Sequence, residues 1–436
     1  MIQHKNILLA FYGDDFTGST DALEFISNAG ATAMLFIKPP TAAQLAQYPS
    51  LNVIGIAGAT RSLATPEMKD ELLPALVQLK ATGAKHVHYK VCSTFDSSPA
   101  TGSIGKAMDI AQQLFPDKPI PVLGGMPALG RYCVFGNLFA RMGIGSNGTI
   151  YRLDRHPSMM NHPVTPADES DLILHLQKQT SNRGCLIDII QQTNPVKEWM
   201  PATAAECDFV LLDALRDDDL ERTGEWLEQQ AQQRSTLFSI GSSGIEMALG
   251  KYWNATGKLR RVQQWADPGI ADPLLVVSGS CSPITTGQIE YATRSGFQLV
   301  ELNASAAIDS TIDLKKVIHQ VNDLLKDRKH VLVHTGTRKA KNLPSKILGS
   351  TLGLIAKAAA EAGATKRIII AGGDTSSYAA RAMEIDAVSM IAPLVSGAPL
   401  CRAYSANKAI DGLEVNFKGG QVGADDYFAL CVRGKK

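Results

Sequence analysis

Residues 11–25 read FYGDDFTGSTDALEF. An apolar run ends at Gly13, two adjacent carboxylates follow, and Ala22, Leu23 and Ile26 then recur at the spacing of a helix face. This is a strand, a glycine turn and a helix in fifteen residues, the unit from which α/β sheets are built. Thr17 or Ser19 is expected to cap the helix, with Asp21 in its first turn and Gly30 closing its carboxyl end. A cap uses one side-chain oxygen, yet the turn offers Asp14, Asp15, Thr17, Ser19 and Thr20. In open α/β sheets ligands settle where strand carboxyl ends meet helix N-termini. The surplus therefore predicts a site for a polyhydroxylated ligand. Carboxylates accept from hydroxyls, and one could act as general base toward a hydroxyl.

The same rhythm runs through the chain. Strands are expected over 6–12, 33–37, 52–57, 86–90, 121–124, 185–188 and 209–212. Helices are expected over 17–28, 66–82, 103–114, 168–179, 220–234 and 241–253. Residues 254–273, NATGKLRRVQQWADPGIADP, carry no clean periodicity and read as a linker. Strands then return at 274–278, 298–302, 330–334 and 367–371, with helices at 284–295, 313–326, 345–362 and 376–383. The tail, 400–430, reads as strand-rich. The fold class is α/β in two domains, 1–253 and 274–436, each with a mainly parallel sheet flanked by helices.

The 436 residues suit two domains, and 45% hydrophobic against 19% charged content suits ordinary globular cores. Lys and Arg total 43 against 42 for Asp and Glu, so no concentrated basic field is available for nucleic acid or an anionic membrane. The seven cysteines lack paired metal-ligand spacing and are expected to be reduced. No apolar run is long enough to span a bilayer, and ILLAFY is cut off by Asp14 and Asp15, unlike a signal peptide. A cytoplasmic protein is expected.

Three further stretches carry more than turn chemistry. In LLVVSGSCSPITTGQIE, 274–290, a strand ends at Ser278, Gly279 admits a close backbone approach, Ser280 offers a hydroxyl, and Pro283 opens a helix. In RIIIAGGDTSSYAARAM, 367–383, Gly372 and Gly373 follow a strand and Asp374, Thr375 and Ser376 compete as caps. Both suit phosphate held by backbone N–H groups, with Gly397 of LVSGAP flanking. In HYKVCSTFDSSPATGSIG, 86–105, Lys90 ends a strand ahead of Ser93, Thr94 and Asp96. Arg61 ends another strand. Two cations beside hydroxyl acceptors describe a site for a small hydroxy acid. Neither G-x-x-x-x-G-K-[ST] nor a helix-opening G-x-G-x-x-G is present. That argues against an NAD-dependent hydroxy-acid dehydrogenase, and the neutral charge argues against a DNA-binding sugar-acid sensor.

GDDFTGSTD (13–21), KVCSTFDSSP (90–99), HPVTPADESDL (162–172), SGSCSP (278–283) and AGGDTSS (371–377) together resemble the four-carbon acid sugar kinases, in order and across nearly the whole chain. The resemblance implies a sugar-acid-binding first domain, an ATP-binding second domain and phosphorylation of the C4 hydroxyl. It implies that Asp15, Thr17, Arg61, Lys90, Ser93 and Thr94 face the acid, with Asp15, or Asp14 in its stead, as the catalytic base. Ser280, Gly372, Gly373, Asp374, Thr375 and Gly397 would hold the nucleotide, and Asp374 would hold Mg²⁺. Where many members have K-x-D-S-T-L-R-G, Cys92, Phe95 and Asp96 replace Asp, Leu and Arg. The CSTFDS form is similar to the branch acting on 3-oxo-tetronates, with D-threonate and D-erythronate as alternatives. Hinge closure across the linker is expected once both ligands are bound, and a homodimer is compatible with this reading.

Overall fold

Strands that are apolar on both faces belong in parallel sheets covered by helices on each side. LAFYG, VIGIA, LLVVS and RIIIA are of this kind, and each is buried along its whole length. The computed structural model describes residues 7–143, 147–162, 164–200, 204–309, 311–336 and 345–434. It divides the chain into two units, Met1–Ala33 with Lys38–Val262, and Met34–Ile37 with Gln263–Lys436. The early segment Met34–Ile37 thus clusters with the later unit, a long-range assignment that linear composition does not reveal.

The first unit holds seven parallel strands in the order Val53–Ala57, Leu9–Gly13, His86–Lys90, Leu237–Gly241, Ile120–Leu123, Phe209–Leu212 and Gly184–Ile187. The central strand Leu237–Gly241 lies outside the expected set. Its five residues are too few for periodicity to separate strand from helix. The helix that follows begins at Gly244 rather than 241. A separate antiparallel sheet, Arg131–Val134, Asn137–Arg141 and Ile150–Arg152, also escaped the parallel reading. Trp199, Trp226 and Trp253 are fully buried in this unit. Cys185 and Cys207 form a disulfide, which corrects the expectation of seven reduced cysteines.

In the second unit five parallel strands run Gln298–Glu301, Val331–His334, Leu274–Ser278, Arg367–Ala371 and Glu414–Lys418. Ala398–Tyr404 and Ala387–Val395 continue antiparallel, and Ala33–Phe36 pairs antiparallel with the latter. The tail is only partly strand: after Lys418 it ends in the helix Tyr427–Arg433. Among the described residues no helix is long and apolar enough to cross a membrane.

Helices Asp217–Gln232 and Gly244–Ala255 approach so closely that a Cβ on Gly224 would lie 2.1 Å from the Ala248 carbonyl oxygen. Gly224→Ala is therefore expected to destabilise the protein by about 1–3 kcal/mol, read as a lower denaturant midpoint with an unchanged m-value. An unchanged midpoint would show that the two helices part without cost.

Candidate active site

Parallel register brings the carboxyl ends of the first unit's strands to one level, with Gly13 opposite Ala57 and Lys90, and Lys90 opposite Gly241. The turns leaving that level interlock. The Asp14 N–H donates to the Lys90 carbonyl at 2.8 Å, and the Arg61 N–H donates to the Asp14 carbonyl at 3.0 Å. Asp14, Arg61 and Lys90 are so fixed relative to one another by main chain alone.

Asp15, not Thr17 or Ser19, caps helix Phe16–Asn28. One of its carboxylate oxygens accepts from the Gly18 N–H at 2.9 Å. The other accepts from the Thr17 hydroxyl at 2.9 Å and from the Arg61 guanidinium. Ser19 instead donates to the Asp15 carbonyl. Asp21 lies beyond the first turn, buried, where it accepts from the Ser243 hydroxyl and sits 3.9 Å from Lys90 Nζ. Gly18 lets the two groups close on the helix: a Cβ would fall 2.4 Å from Asp15 Oδ1 and 2.7 Å from Lys90 Nζ and would displace one or both.

The electrostatics separate the two adjacent carboxylates. Burial favours the neutral form of Asp15, but Arg61, Lys90 and the bonds from Thr17 and Gly18 outweigh it and hold its pKa below the ordinary value. Asp14 is 2% exposed and its Oδ1 has no partner among the described residues. Burial, reinforced by the Asp15 charge and only partly opposed by Arg61 and Lys90, pushes it up to about 7. Burial works against the Lys90 ammonium, yet Asp21, Asp15 and Asp14 more than offset it and raise its pKa. Beyond Lys90, the Thr94 hydroxyl donates to Asp96 at 2.7 Å and meets Cys92 Sγ at 3.1 Å, while Phe95 adopts φ 52°. Burial pushes the Cys92 thiol up to about 12, so it stays neutral. Ser93 and Thr94 are both buried in this loop.

The second unit repeats the geometry, with Ser278 level with His334 and Ala371, and Ala371 level with Lys418. Ser282 caps helix Pro283–Arg294, accepting from the Thr285 N–H at 3.1 Å and donating to the Gly420 carbonyl. Ser280 donates to Thr285 Oγ1 at 3.0 Å. Gly372, at φ 120°, is the N-cap of helix Gly373–Ala382, and no side chain caps that helix. The expected competition among Asp374, Thr375 and Ser376 does not occur. Ser376 donates back to the Gly372 carbonyl at 2.7 Å, Thr375 packs under the turn, and Asp374 is exposed. A Cβ on Gly279 or Gly372 would lie 2.4 or 2.8 Å from Thr375 Oγ1. The uncapped N–H groups and the orphaned, buried Ser278 hydroxyl fit an anion such as a phosphate. Gly397 forms the φ 83° turn between Ala387–Val395 and Ala398–Tyr404. The Asn416 amide ties that turn's far side, Ala398 and Pro399, to the strand bearing Lys418.

Sequence reasoning missed Lys418. It is fully buried, with Nζ donating to Thr285 Oγ1 at 3.1 Å and to the Gly419 carbonyl at 2.9 Å, and burial lowers its pKa to about 7. The signal was available: NFKGG repeats the strand-then-diglycine pattern of IIIAGG. No group of three or more His, Cys, Asp or Glu side chains suited to a metal occurs among the described residues. A cation at Asp374 would depend on phosphate oxygens and water for the rest of its shell.

A model of a sugar-binding N-terminal domain matches residues 9–249, and one of a nucleotide-binding C-terminal domain matches 275–428. A Paraburkholderia graminis protein named 3-oxo-isoapionate kinase is 38% identical, over 98% of this chain and 95% of its own. A Pseudomonas savastanoi pv. phaseolicola protein named 3-oxo-tetronate kinase is 29% identical, over 98% and 97%. A solved Salmonella typhimurium LT2 structure, carried under the name of a tRNA synthase, aligns with TM-score 0.78 at 23% identity, over 98% of this chain and 99% of its own. At that identity it shows the fold alone.

The raised Asp14 pKa has a definite sign for stability. The folded state keeps the proton up to about pH 7, whereas an unfolded Asp releases it near pH 3.9. The folded state binds more protons across that window, so stability falls as pH rises through it. Asp14→Asn is free of this loss. Its melting temperature relative to the parent is expected to rise between pH 5 and pH 8, and a pH-independent difference would refute the buried ionisation.

Proposed function

The chain belongs to the four-carbon acid sugar kinase family, in which a sugar-binding domain precedes a nucleotide-binding one, and from that premise we propose that it phosphorylates the terminal hydroxyl of a 3-oxo sugar acid with ATP. The first unit is assigned the acid and the second the nucleotide, with the boundary falling between Val262 and Gln263, inside the stretch 254–273 expected as the linker. The observation that carries the reading is Asp14: a buried carboxylate with an orphaned oxygen and a pKa raised to about 7, beside Lys90 and Arg61. A base works best when its pKa lies near the operating pH. Asp14 meets that condition. Asp15 does not, because its oxygens are already committed to Gly18, Thr17 and Arg61. Asp14 is therefore the base toward the attacking hydroxyl, and Asp15 holds Arg61 in place.

Lys90 and Arg61 supply positive charge for the acid, and Thr17, Ser93 and Thr94 surround its hydroxyls. When bound, MgATP supplies the transferable phosphoryl group and a metal that neutralises its charge. The N–H groups after Gly372 and Gly373 and the hydroxyls of Ser280 and Thr375 hold its phosphates, with Gly397 flanking and Asp374 reaching the metal. Lys418 fixes Thr285 and, through it, Ser280. Two substrates of one class are supported: the CSTFDS loop favours 3-oxo-tetronate, and the 38% identical relative carries the name of a 3-oxo-isoapionate kinase.

ADP release should be followed in parallel with 3-oxo-tetronate, 3-oxo-isoapionate, D-threonate and D-erythronate. Turnover is expected with a 3-oxo acid, and none with any of the four would overturn the reading. Asp14→Asn is expected to lower kcat by roughly 10²- to 10⁴-fold with ATP affinity unchanged. A near-normal kcat would return the role to Asp15.

A further inference from the structure

Arg131 opens the small antiparallel sheet, an element the reading above does not use. The residue is buried, only 8% exposed. Nη1 donates to the carbonyls of Leu129, Gly130 and Arg141 at 3.0, 3.3 and 3.2 Å, which pins the guanidinium across the hairpin's base. Nε is buried with no partner, and no carboxylate lies within 4 Å of the side chain among the described residues. The other arginines of comparable role are paired: Arg61 with Asp15, and the buried Arg367 with Glu414. Carbonyl oxygens could be satisfied by a neutral donor. A buried full charge asks for an anion.

The place of the hairpin says which anion. Arg131 and Met126 exchange both backbone hydrogen bonds, at 3.2 and 2.8 Å. The Met126 sulfur lies 3.2 Å from the Ser243 hydroxyl, which donates to Asp21, which lies 3.9 Å from Lys90. Arg131 is thus four contacts from the cation already assigned to the acid. Asp96, on the loop after Lys90, acts electrostatically on the Arg131 guanidinium. It does not neutralise it by contact, since Asp96 accepts from Thr94, and the Cys92 thiol on the same loop is neutral.

We propose that Arg131 binds the carboxylate of the sugar acid, presenting its unpaired N–H edge as the anion's partner and so selecting acids over neutral sugars. This rests on the assignment of the acid to the first unit. Guanidinium and carboxylate match in geometry as well as charge, so the hairpin reads the acid end of the substrate while Asp14 addresses its hydroxyl.

Calorimetric binding of the turned-over 3-oxo acid, and of its uncharged carboxamide, to the full chain tests this, with ATP binding measured alongside. Arg131→Gln keeps a neutral donor for the hairpin carbonyls and removes the charge, and Arg131→Met removes both. Acid affinity is expected to fall roughly 10- to 100-fold in either variant, with carboxamide and ATP affinities unchanged. Equal loss for acid and carboxamide, or unchanged acid affinity, would overturn the proposal and leave the kinase reading standing. Absence of acid binding by the parent chain would instead refute the assignment on which it rests.

Discussion

The Lys90 ammonium, 2% exposed at the end of a buried strand, is the constraint on which the first unit turns. A charge so desolvated survives only among opposite charges. Asp14, Asp15 and Asp21 provide them from a single turn and the helix after it. That requirement explains why two carboxylates stand side by side in a sequence that needed one cap. It also reaches one layer deeper. His88, two residues before Lys90 and so on the same face of the strand, is fully buried with Nδ1 2.6 Å from Glu246, in the first turn of the helix whose preceding residue Ser243 binds Asp21. The buried pair anchors the helix start, the helix start orients Asp21, and Asp21 holds the lysine.

The second unit solves a different problem with different means. Apart from the exposed Asp374, its turns are built from Gly279, Gly372, Gly420, Ser280, Ser282 and Thr375, and they present main-chain donors and hydroxyls rather than buried charge. A ligand bearing several negative charges brings its own field, and a neutral cradle avoids burying cations that would stand unpaired in its absence. Lys418 is consistent with that economy: burial lowers its pKa to about 7 and its donors are engaged by Thr285 and Gly419.

What the sequence disclosed follows the same division. Strand–turn–helix junctions are local, and the Asp14–Asp15, Gly372–Gly373 and Ser280 turns were readable from residue order alone. So was Lys90, which ends its strand, whereas Arg61 lies not at a strand end but in the turn Thr60–Ser62 that follows Val53–Ala57. Cap identity was not: Asp15 displaced Thr17 and Ser19 because Arg61, forty-six positions away, also needed its carboxylate. Gly372 displaced the polar residues after it because the turn's φ of 120° sets where the helix begins. The central strand Leu237–Gly241, the hairpin from Arg131 and the placement of Met34–Ile37 depend on pairing across long separations, to which a window of residues is blind.

The choice between Asp14 and Asp15 shows what chemistry the sequence left open and burial decided. Side by side in the chain, the two are equal as acids. The strand's direction sends Asp14 inward, where its Oδ1 finds no donor, and leaves Asp15 at the helix entrance, where three donors converge. Like charges so close cannot both be relieved by the same two cations. Stabilising one as the permanent anion raises the cost of ionising the other, since the Asp15 charge is itself one of the causes that lift Asp14. The cap and the proton-holding carboxyl are therefore one device: the interactions that tie up Asp15 are what leave its neighbour free to take a proton near neutral pH.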